Sequence, residues 1–316
     1  MIHRADVEAG WDRVRQLVRR TPILELERGE LDGEVDGELL FRLEFLQHTS
    51  SFKTRGALNR VLSAQERGEL DPELGLVVAS GGNAGLGNAY AAARLGVPAV
   101  VFVPEIAPPV KVARLEALGA TVSISGAEYA AALAAAEEHV KRSGALYCHA
   151  YDQPEIAAGA GTLALELLEQ TATRVDTVVV AVGGGGLMAG VAAAVEDLPV
   201  RVVAAEPEAA PTLRTALELG HPTDVSVGGV AADSLGARRV GEIAFDVARR
   251  TGVHSVLVSD AAITAARALL WNRWRILVEH GAATALAALT SRAYVPEHDE
   301  RVAVVLSGAN TSPADL

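Results

Sequence analysis

The stretch "VVVAVGGGGLMAG", residues 178 to 190, constrains the fold more than any other part of the chain. A run of small and β-branched apolar residues reads as a strand buried on both faces, and it passes directly into Gly183, Gly184, Gly185 and Gly186 before Leu187 opens a helix. Such a strand needs helices above and below it, so this one unit already demands a layered α/β architecture. The glycines carry a second message. Consecutive backbone N–H groups at a helix N-terminus, with no Cβ atoms in the way, make a cup for a phosphate or another anion. The loop lacks the Lys and Ser or Thr of a nucleoside triphosphate loop, and its spacing is not the dinucleotide G-x-G-x-x-G fingerprint.

The same unit recurs along the chain. "LVVAS" from residue 76 runs into a Gly-rich turn, an alanine-rich helix and a stop at Gly96; then follow "PAVVFV", a helix over 109–118, "TVSIS", a helix over 128–142 and the strand "ALYCH". A second series has a helix over 155–170, the strand 177–182, a helix over 187–196 and "RVVAAE", with later helices around 240, 265 and 285 and a closing strand "RVAVVLSG". Residues 206–236 read as irregular, with a short helix at 211–219. Two α/β domains result: a small one over 75–150, and a large one made of 1–74 plus 151–316.

The totals set outer limits. Half of the 316 residues are apolar, ample for a sizeable core. Basic minus acidic residues give 28 − 40 = −12, a field that repels nucleic acid and anionic lipid, so neither is expected as a partner. The single cysteine, Cys148, cannot close an internal disulfide and reads as a small buried residue, consistent with a reducing cytoplasm. No segment reaches the roughly 18 uninterrupted apolar residues of a membrane span, and the charged N-terminus is not an export signal, so the expectation is a soluble cytoplasmic protein.

Three further stretches carry chemistry. In "HTSSFKTRGALNR", residues 48–60, the hydroxyls of Thr49, Ser50 and Ser51 stand ahead of a helical pattern, which puts Lys53 in the first turn. A cation is disfavoured there by the helix dipole and by Arg55, whereas a neutral amine or an imine is not. In "ASGGNAGLGNAY", the turn from Ser80 through Gly81, Gly82 and Asn83 to Ala84 offers backbone donors and an amide that suit a carboxylate. In "VVLSGAN", Ser307, Gly308 and Asn310 lie at the carboxyl edge of a sheet, where open α/β folds place ligands.

Taken in order, "SSFKTRGALN", "SGGNAG", "GGGGLMAG" and "SGAN" resemble the serine and threonine dehydratases of the fold-type II pyridoxal phosphate enzymes, a group that includes serine racemase and the tryptophan synthase β chain. The resemblance runs from "DVEAGWDRVRQLVRRTPIL" to "LSGAN" and implies two doubly wound α/β domains with the active site in the cleft between them. It implies pyridoxal 5'-phosphate held as an imine on Lys53, with Phe52 near the ring and the phosphate in the loop formed by Gly183, Gly184, Gly185, Gly186 and Leu187. Asn83 then lies at the ring 3-hydroxyl and Ser307 at the pyridine nitrogen, while Ser80, Gly81, Asn83 and Ala84 hold the substrate carboxylate. Glu279 approaches the cofactor face. The activity so implied is elimination of water and ammonia from L-threonine or L-serine to 2-oxobutyrate or pyruvate, with Lys53 as imine partner and base. A neutral Ser307 keeps less negative charge on the ring than an aspartate would, which favours elimination over transamination. The resemblance also implies a homodimer.

Departures narrow this reading. Racemases of the group carry a serine where Gly81 stands, so racemisation is expected to be weak. Ala84 replaces a histidine common in dehydratases, which leaves the pocket for the β-substituent open. Cation-dependent relatives use a site corresponding to Glu206, the Ala210 carbonyl and Thr212; the threonine removes a ligand and argues against a bound Mg²⁺ or Ca²⁺. Only six residues follow Asn310, so a C-terminal regulatory domain is not expected. His149, Tyr151, Asp152 and the segment "ADSLGARR" read equally as structural or as cleft-lining. The alternatives are a lyase or racemase for another β-hydroxy amino acid such as hydroxyaspartate, β-replacement, which the absence of "TSGNTG" counts against, and a non-catalytic binder of a phosphorylated metabolite.

Overall fold

The computed structural model describes residues 1–31 and 37–315. The regular elements in chain order are α1 (Arg4–Val14), β1 (Ile23–Glu25), β2 (Glu38–Arg42), α2 (Lys53–Glu66), β3 (Leu76–Ala79), α3 (Asn83–Leu95), β4 (Ala99–Val103), α4 (Pro109–Ala117), β5 (Thr121–Ile124), α5 (Tyr129–Ser143) and β6 (Leu146–Tyr147). Then come α6 (Pro154–Gln170), β7 (Thr177–Ala181), α7 (Gly186–Ala194), β8 (Arg201–Pro207), α8 (Thr212–Leu219), α9 (Ala232–Leu235), α10 (Glu242–Thr251), β9 (His254–Val258), α11 (Asp260–Trp274), α12 (His280–Thr290) and β10 (Arg301–Val305).

Two sheets organise the chain. The contiguous strands β3 to β6 form a parallel sheet in the order β5-β4-β3-β6. The others form a six-stranded sheet in the order β1-β2-β10-β7-β8-β9, parallel apart from β1. The strand period of two sorts neighbouring residues to opposite faces. Val178 and Val180 pack with Leu163, Leu167 and Met188 of α6 and α7, whereas Val179 and Ala181 pack with Ile263, Leu270 and Leu286 of α11 and α12. In the smaller sheet Val78 and Val101 face Leu58 and Val61 of α2 and Ala89 of α3, and Val77 and Phe102 face Ala132 and Ala136 of α5.

The helices of the repeating pattern fall within a residue or two of their expected places, with Gly96 and Gly144 as left-handed C-terminal stops. The N-terminal segment contributes β1 and β2 to the larger sheet. Other expectations need correction. β9 is an additional strand, and "ALYCH" pairs only through Leu146–Tyr147, the chain then bending toward the site.

Beneath the start of α2 lies a fully buried, charge-balanced quartet. Arg55 Nε donates to Glu44 Oε1 at 2.6 Å and one Nη to Glu166 Oε2 at 2.9 Å, while Arg42 donates to Glu166 Oε1 at 2.5 Å. Thr21 completes it through its N–H to Glu166 (2.8 Å) and its hydroxyl to Glu44 (2.9 Å). Charges this deep are tolerated because each is paired with an opposite charge; Arg42 Nε, which makes no hydrogen bond, lies 3.5 Å from Glu44 Oε2. The network locks α2 to β2 and α6.

Candidate active site

Lys53 is the first residue of α2, as the pattern indicates, but the hydroxyls ahead of it do not cap the helix. Ser51 is extended and bridges Gly308, Thr49 shares a hydrogen bond with Thr54 Oγ1 (2.8 Å), and Thr54 Oγ1 reaches His48 O (2.7 Å). The approach is strained: Thr49 and Ser50 both have left-handed backbones, φ 59° and 57°. Bonds from Asn310 Nδ2 to Thr49 O (2.8 Å), Ala309 N to Ser50 O (2.9 Å) and Phe52 N to Ser307 O (3.1 Å) hold them there. The stretches "SSFK" and "SGAN" are thus stitched side by side.

The Lys53 amine donates to Ala150 O at 2.7 Å and lies 5.0 Å from the Phe52 ring centre. Loss of hydration pulls its pKa down to about 8, with Glu279 pulling weakly the other way. Near neutral pH a usable fraction of the amine is therefore unprotonated and nucleophilic.

Each glycine of the loop after β7 has its own steric reason. Gly185 has φ +86°; a Cβ on Gly184 would lie 2.5 Å from Tyr151 Cδ1, one on Gly186 2.6 Å from Tyr151 O, and one on Gly183 3.0 Å from Leu235 Cα. Close packing and anion binding are therefore not alternatives here. The carbonyls of the loop are turned away, Gly183 O accepting from Thr212 Oγ1 (2.6 Å), Gly184 O from Gly241 N (3.0 Å) and Gly185 O from Ala189 N (2.8 Å). The last sheet bond is given by Val182 N to Ala205 O (2.9 Å), and among the described residues the N–H groups of Gly183 to Leu187 donate none. The Leu187 side chain is buried in the core, so only its N–H faces the cup.

At the end of β3, Ser80 Oγ accepts from Gly82 N (3.2 Å), closing the turn, and Asn83 begins α3. Asn83 Nδ2 donates to both oxygens of Glu279 (2.9 and 3.0 Å) and its Oδ1 accepts from Asn310 Nδ2 (2.5 Å). Asn310 N in turn donates to Glu279 Oε1 at 2.7 Å. Burial pushes the Glu279 carboxyl upward in pKa, opposed by these donors. The triad joins the carboxyl ends of β3 and β10 across a crevice lined by Gly81, Gly82, Asn83, Glu279 and Asn310, with Lys111 and Arg114 of α4 and Asp233 and Ser234 of α9. Ala84 is buried, while Ser307 is 8% exposed just after β10.

Glu206 lies near the end of β8. It is fully buried and caps α8, accepting from Leu213 N (2.7 Å), Arg214 N (2.8 Å) and Thr212 Oγ1 (3.2 Å), and burial raises its pKa to about 7. The Ala210 carbonyl accepts from Thr212 N (3.0 Å). Among the described residues no group of three or more acidic, His or Cys side chains is arranged to hold a metal. Cys148 is buried, its thiol pushed up to about 12. No described helix is long and apolar enough to cross a membrane. Sequence reasoning passes over Lys111 and Arg114; their one signal is that both are cations, three residues apart on a single helix face.

The arrangement offers an amine for a carbonyl, a cup of amides for a phosphate and a second helix start for a carboxylate. Comparison with known proteins points the same way. Residues 14–308 match the family described as "Pyridoxal-phosphate dependent enzyme". The chain is 37% identical over 301 residues to the L-threonine ammonia-lyase of Geobacter sulfurreducens, covering 95% of this chain and 73% of that protein. It is 35% identical to the biosynthetic L-threonine dehydratase IlvA of Salmonella typhimurium, spanning 95% of this chain but only 58% of that protein. Its fold matches the crystal structure of a threonine deaminase from T.th. with a TM-score of 0.88 and 34% identity, over 98% of this chain and 99% of the other.

Proposed function

Since the chain belongs to the pyridoxal-phosphate dependent enzyme family, we propose that it removes water and ammonia from L-threonine or L-serine to give 2-oxobutyrate or pyruvate. Its residues suit the cofactor: five amides from Gly183 to Leu187 unspent among the described residues, an amine at about 8 on Lys53, and a buried Ser51 Oγ with no hydrogen-bond partner beside it. Lys53 would hold the aldehyde, the glycine loop the phosphate, Phe52 and Asn83 the ring, and Ser307 the pyridine nitrogen. When bound, pyridoxal phosphate supplies an aldehyde for the substrate nitrogen and a π system that accepts the electron pair left at Cα.

The chain's own residues do the rest. The turn from Ser80 to Ala84, at the positive end of a 13-residue helix, receives the substrate carboxylate. Lys53, once free, takes the Cα proton, for which an amine near pH 8 is well matched. Glu279 and Asn310 hold the Asn83 amide in one orientation, so its donor and acceptor ends are not interchangeable. Gly81 places no acid or base on the opposite face, which supports elimination over racemisation.

The Lys53 amine, half-buried, readily deprotonated and hydrogen-bonded to the turn whose Tyr151 lies on the glycine loop, is the observation that carries this reading. The purified protein is expected to show a visible absorbance band that borohydride bleaches and Lys53→Ala abolishes, and to release 2-oxo acid from L-threonine or L-serine; a colourless protein inert toward a panel of L- and D-hydroxy amino acids ends it. The same reading makes it a two-lobed cytoplasmic homodimer, the small lobe spanning residues 75–150.

A further inference from the structure

Between the Lys53 amine and the glycine loop stands one turn, His149 to Asp152, that the proposed chemistry does not use. His149 Nδ1 accepts two backbone N–H groups, from Asp152 at 2.8 Å and from Tyr151 at 3.2 Å. Because an N–H only donates, Nδ1 carries no proton and the ring is the neutral tautomer protonated at Nε2. The His149 N–H donates to Gln153 Oε1 (2.8 Å), whose Nε2 donates to Tyr147 O (3.3 Å), and the ring meets Tyr151 edge-on with centroids 4.7 Å apart.

Three outputs leave this turn. The Ala150 carbonyl accepts from Lys53 at 2.7 Å. The Tyr151 ring lies against Gly184, its hydroxyl donating to Arg239 O (3.2 Å). The Asp152 carboxylate caps α10 by accepting from Glu242 N and Ile243 N (both 3.1 Å), just after Gly241 N closes onto the loop at Gly184 O (3.0 Å). Resting on the function proposed above, we infer that His149 is a positioning residue: as a neutral acceptor it aims the Ala150 carbonyl at the Lys53 amine and the Tyr151 ring at the phosphate loop, and protonation of the ring releases both.

The groups facing the ring are Lys53 from α2, Asp152 in the turn, Glu137 from α5, and the phenols of Tyr147 and Tyr151. Burial and Lys53 lower its pKa while Asp152 and Glu137 raise it, the net direction being down from 6.5. The acceptor therefore survives at neutral pH and is lost only on acidification.

Two substitutions separate positioning from bulk packing. His149→Phe keeps a ring without an acceptor; His149→Asn supplies an oxygen that can accept the same N–H groups and does not titrate. In the cofactor-free protein, amide exchange over residues 147–154 is expected to be slow in wild type and His149→Asn and about tenfold faster in His149→Phe, a loss of one to two hydrogen bonds. Lowering the pH to about 5 is expected to speed exchange, after correction for the intrinsic rate, in wild type but not in His149→Asn. In the loaded enzyme kcat falls about tenfold or more in His149→Phe and returns to within about threefold in His149→Asn. Unchanged protection in His149→Phe, or acid-accelerated exchange that persists in His149→Asn, overturns the inference. If His149→Phe does not fold, the pH response of His149→Asn still decides. A protein inert toward all amino acids would defeat the proposed function while leaving the exchange experiment decisive for the turn.

Discussion

Lys53 is a cation in a place that penalises cations, and the penalty has a measurable sign. Its pKa falls from 10.5 to about 8 on folding. Below pH 8 both folded and unfolded chains hold the proton and the cost is present in full; between 8 and 10.5 only the unfolded chain holds it, so stability rises with pH across that window. Cofactor-free Lys53→Met is therefore expected to be more stable than wild type near neutrality, with the gap closing toward the top of the window. Urea midpoints at several pH values check this, and a gap that does not change with pH would show that the amine is not desolvated. The residue's place in the first turn is legible from the pattern around it, but its partner, the Ala150 carbonyl, is not, because nothing in a sequence marks a contact with a main-chain oxygen nearly a hundred residues away.

At the scale of elements, α8 shows how a side chain can imitate one function while serving another. Both Glu206 oxygens are taken by N–H donors of the helix start, and the neighbouring carbonyl is spent on Thr212, so neither has the freedom a hard cation requires. Glu206→Ala is expected to cost about 1–3 kcal/mol through loss of the cap and two stranded donors. Activity of the wild type should be indifferent to a chelator; an activity that falls with EDTA and recovers with Mg²⁺ would reverse this assignment. The repeating strand-helix units are readable because strands buried on both faces and alanine-rich helices have distinct periods. β1 and β9 are not, for opposite reasons: "ILE" is too short to show a period, and "HSVLV" has an exposed first residue and follows a helix without a glycine-rich turn of its own. The loop glycines are readable as a cup, whereas the need for Tyr151 to lie on them appears only in three dimensions.

At the scale of the molecule, the crevice is tied shut by more than the Asn83–Glu279–Asn310 triad. Lys111 of α4 pairs with Asp233 at 2.5 Å, and Arg114 hydrogen-bonds Asn310, so helix α4 on the four-stranded side is fastened to the six-stranded side. These two ties cross the mouth of the crevice, which Lys111, Arg114 and Asp233 line together with Asn83 and Glu279. Exposed ties of this kind are worth about 0.2–1 kcal/mol each, enough to bias closure without governing folding. The double variant Lys111→Ala, Arg114→Ala is expected to raise KM about threefold and to flatten its dependence on salt, with little change in melting temperature. A KM unaltered by the double change would mean that closure is governed elsewhere. The cations themselves are present in the sequence; that they cross a cleft depends on how the two sheets face one another, which no local pattern encodes.

The position of β10 has a further consequence for how the chain comes to be assembled. It is inserted between β2 and β7, both made long before it, and joins them. During synthesis the contiguous β3–β6 sheet can complete itself as it leaves the ribosome, while β2 and β7 must wait with open edges for a strand not yet translated. Those waiting edges are where a nascent chain would need shielding by chaperones.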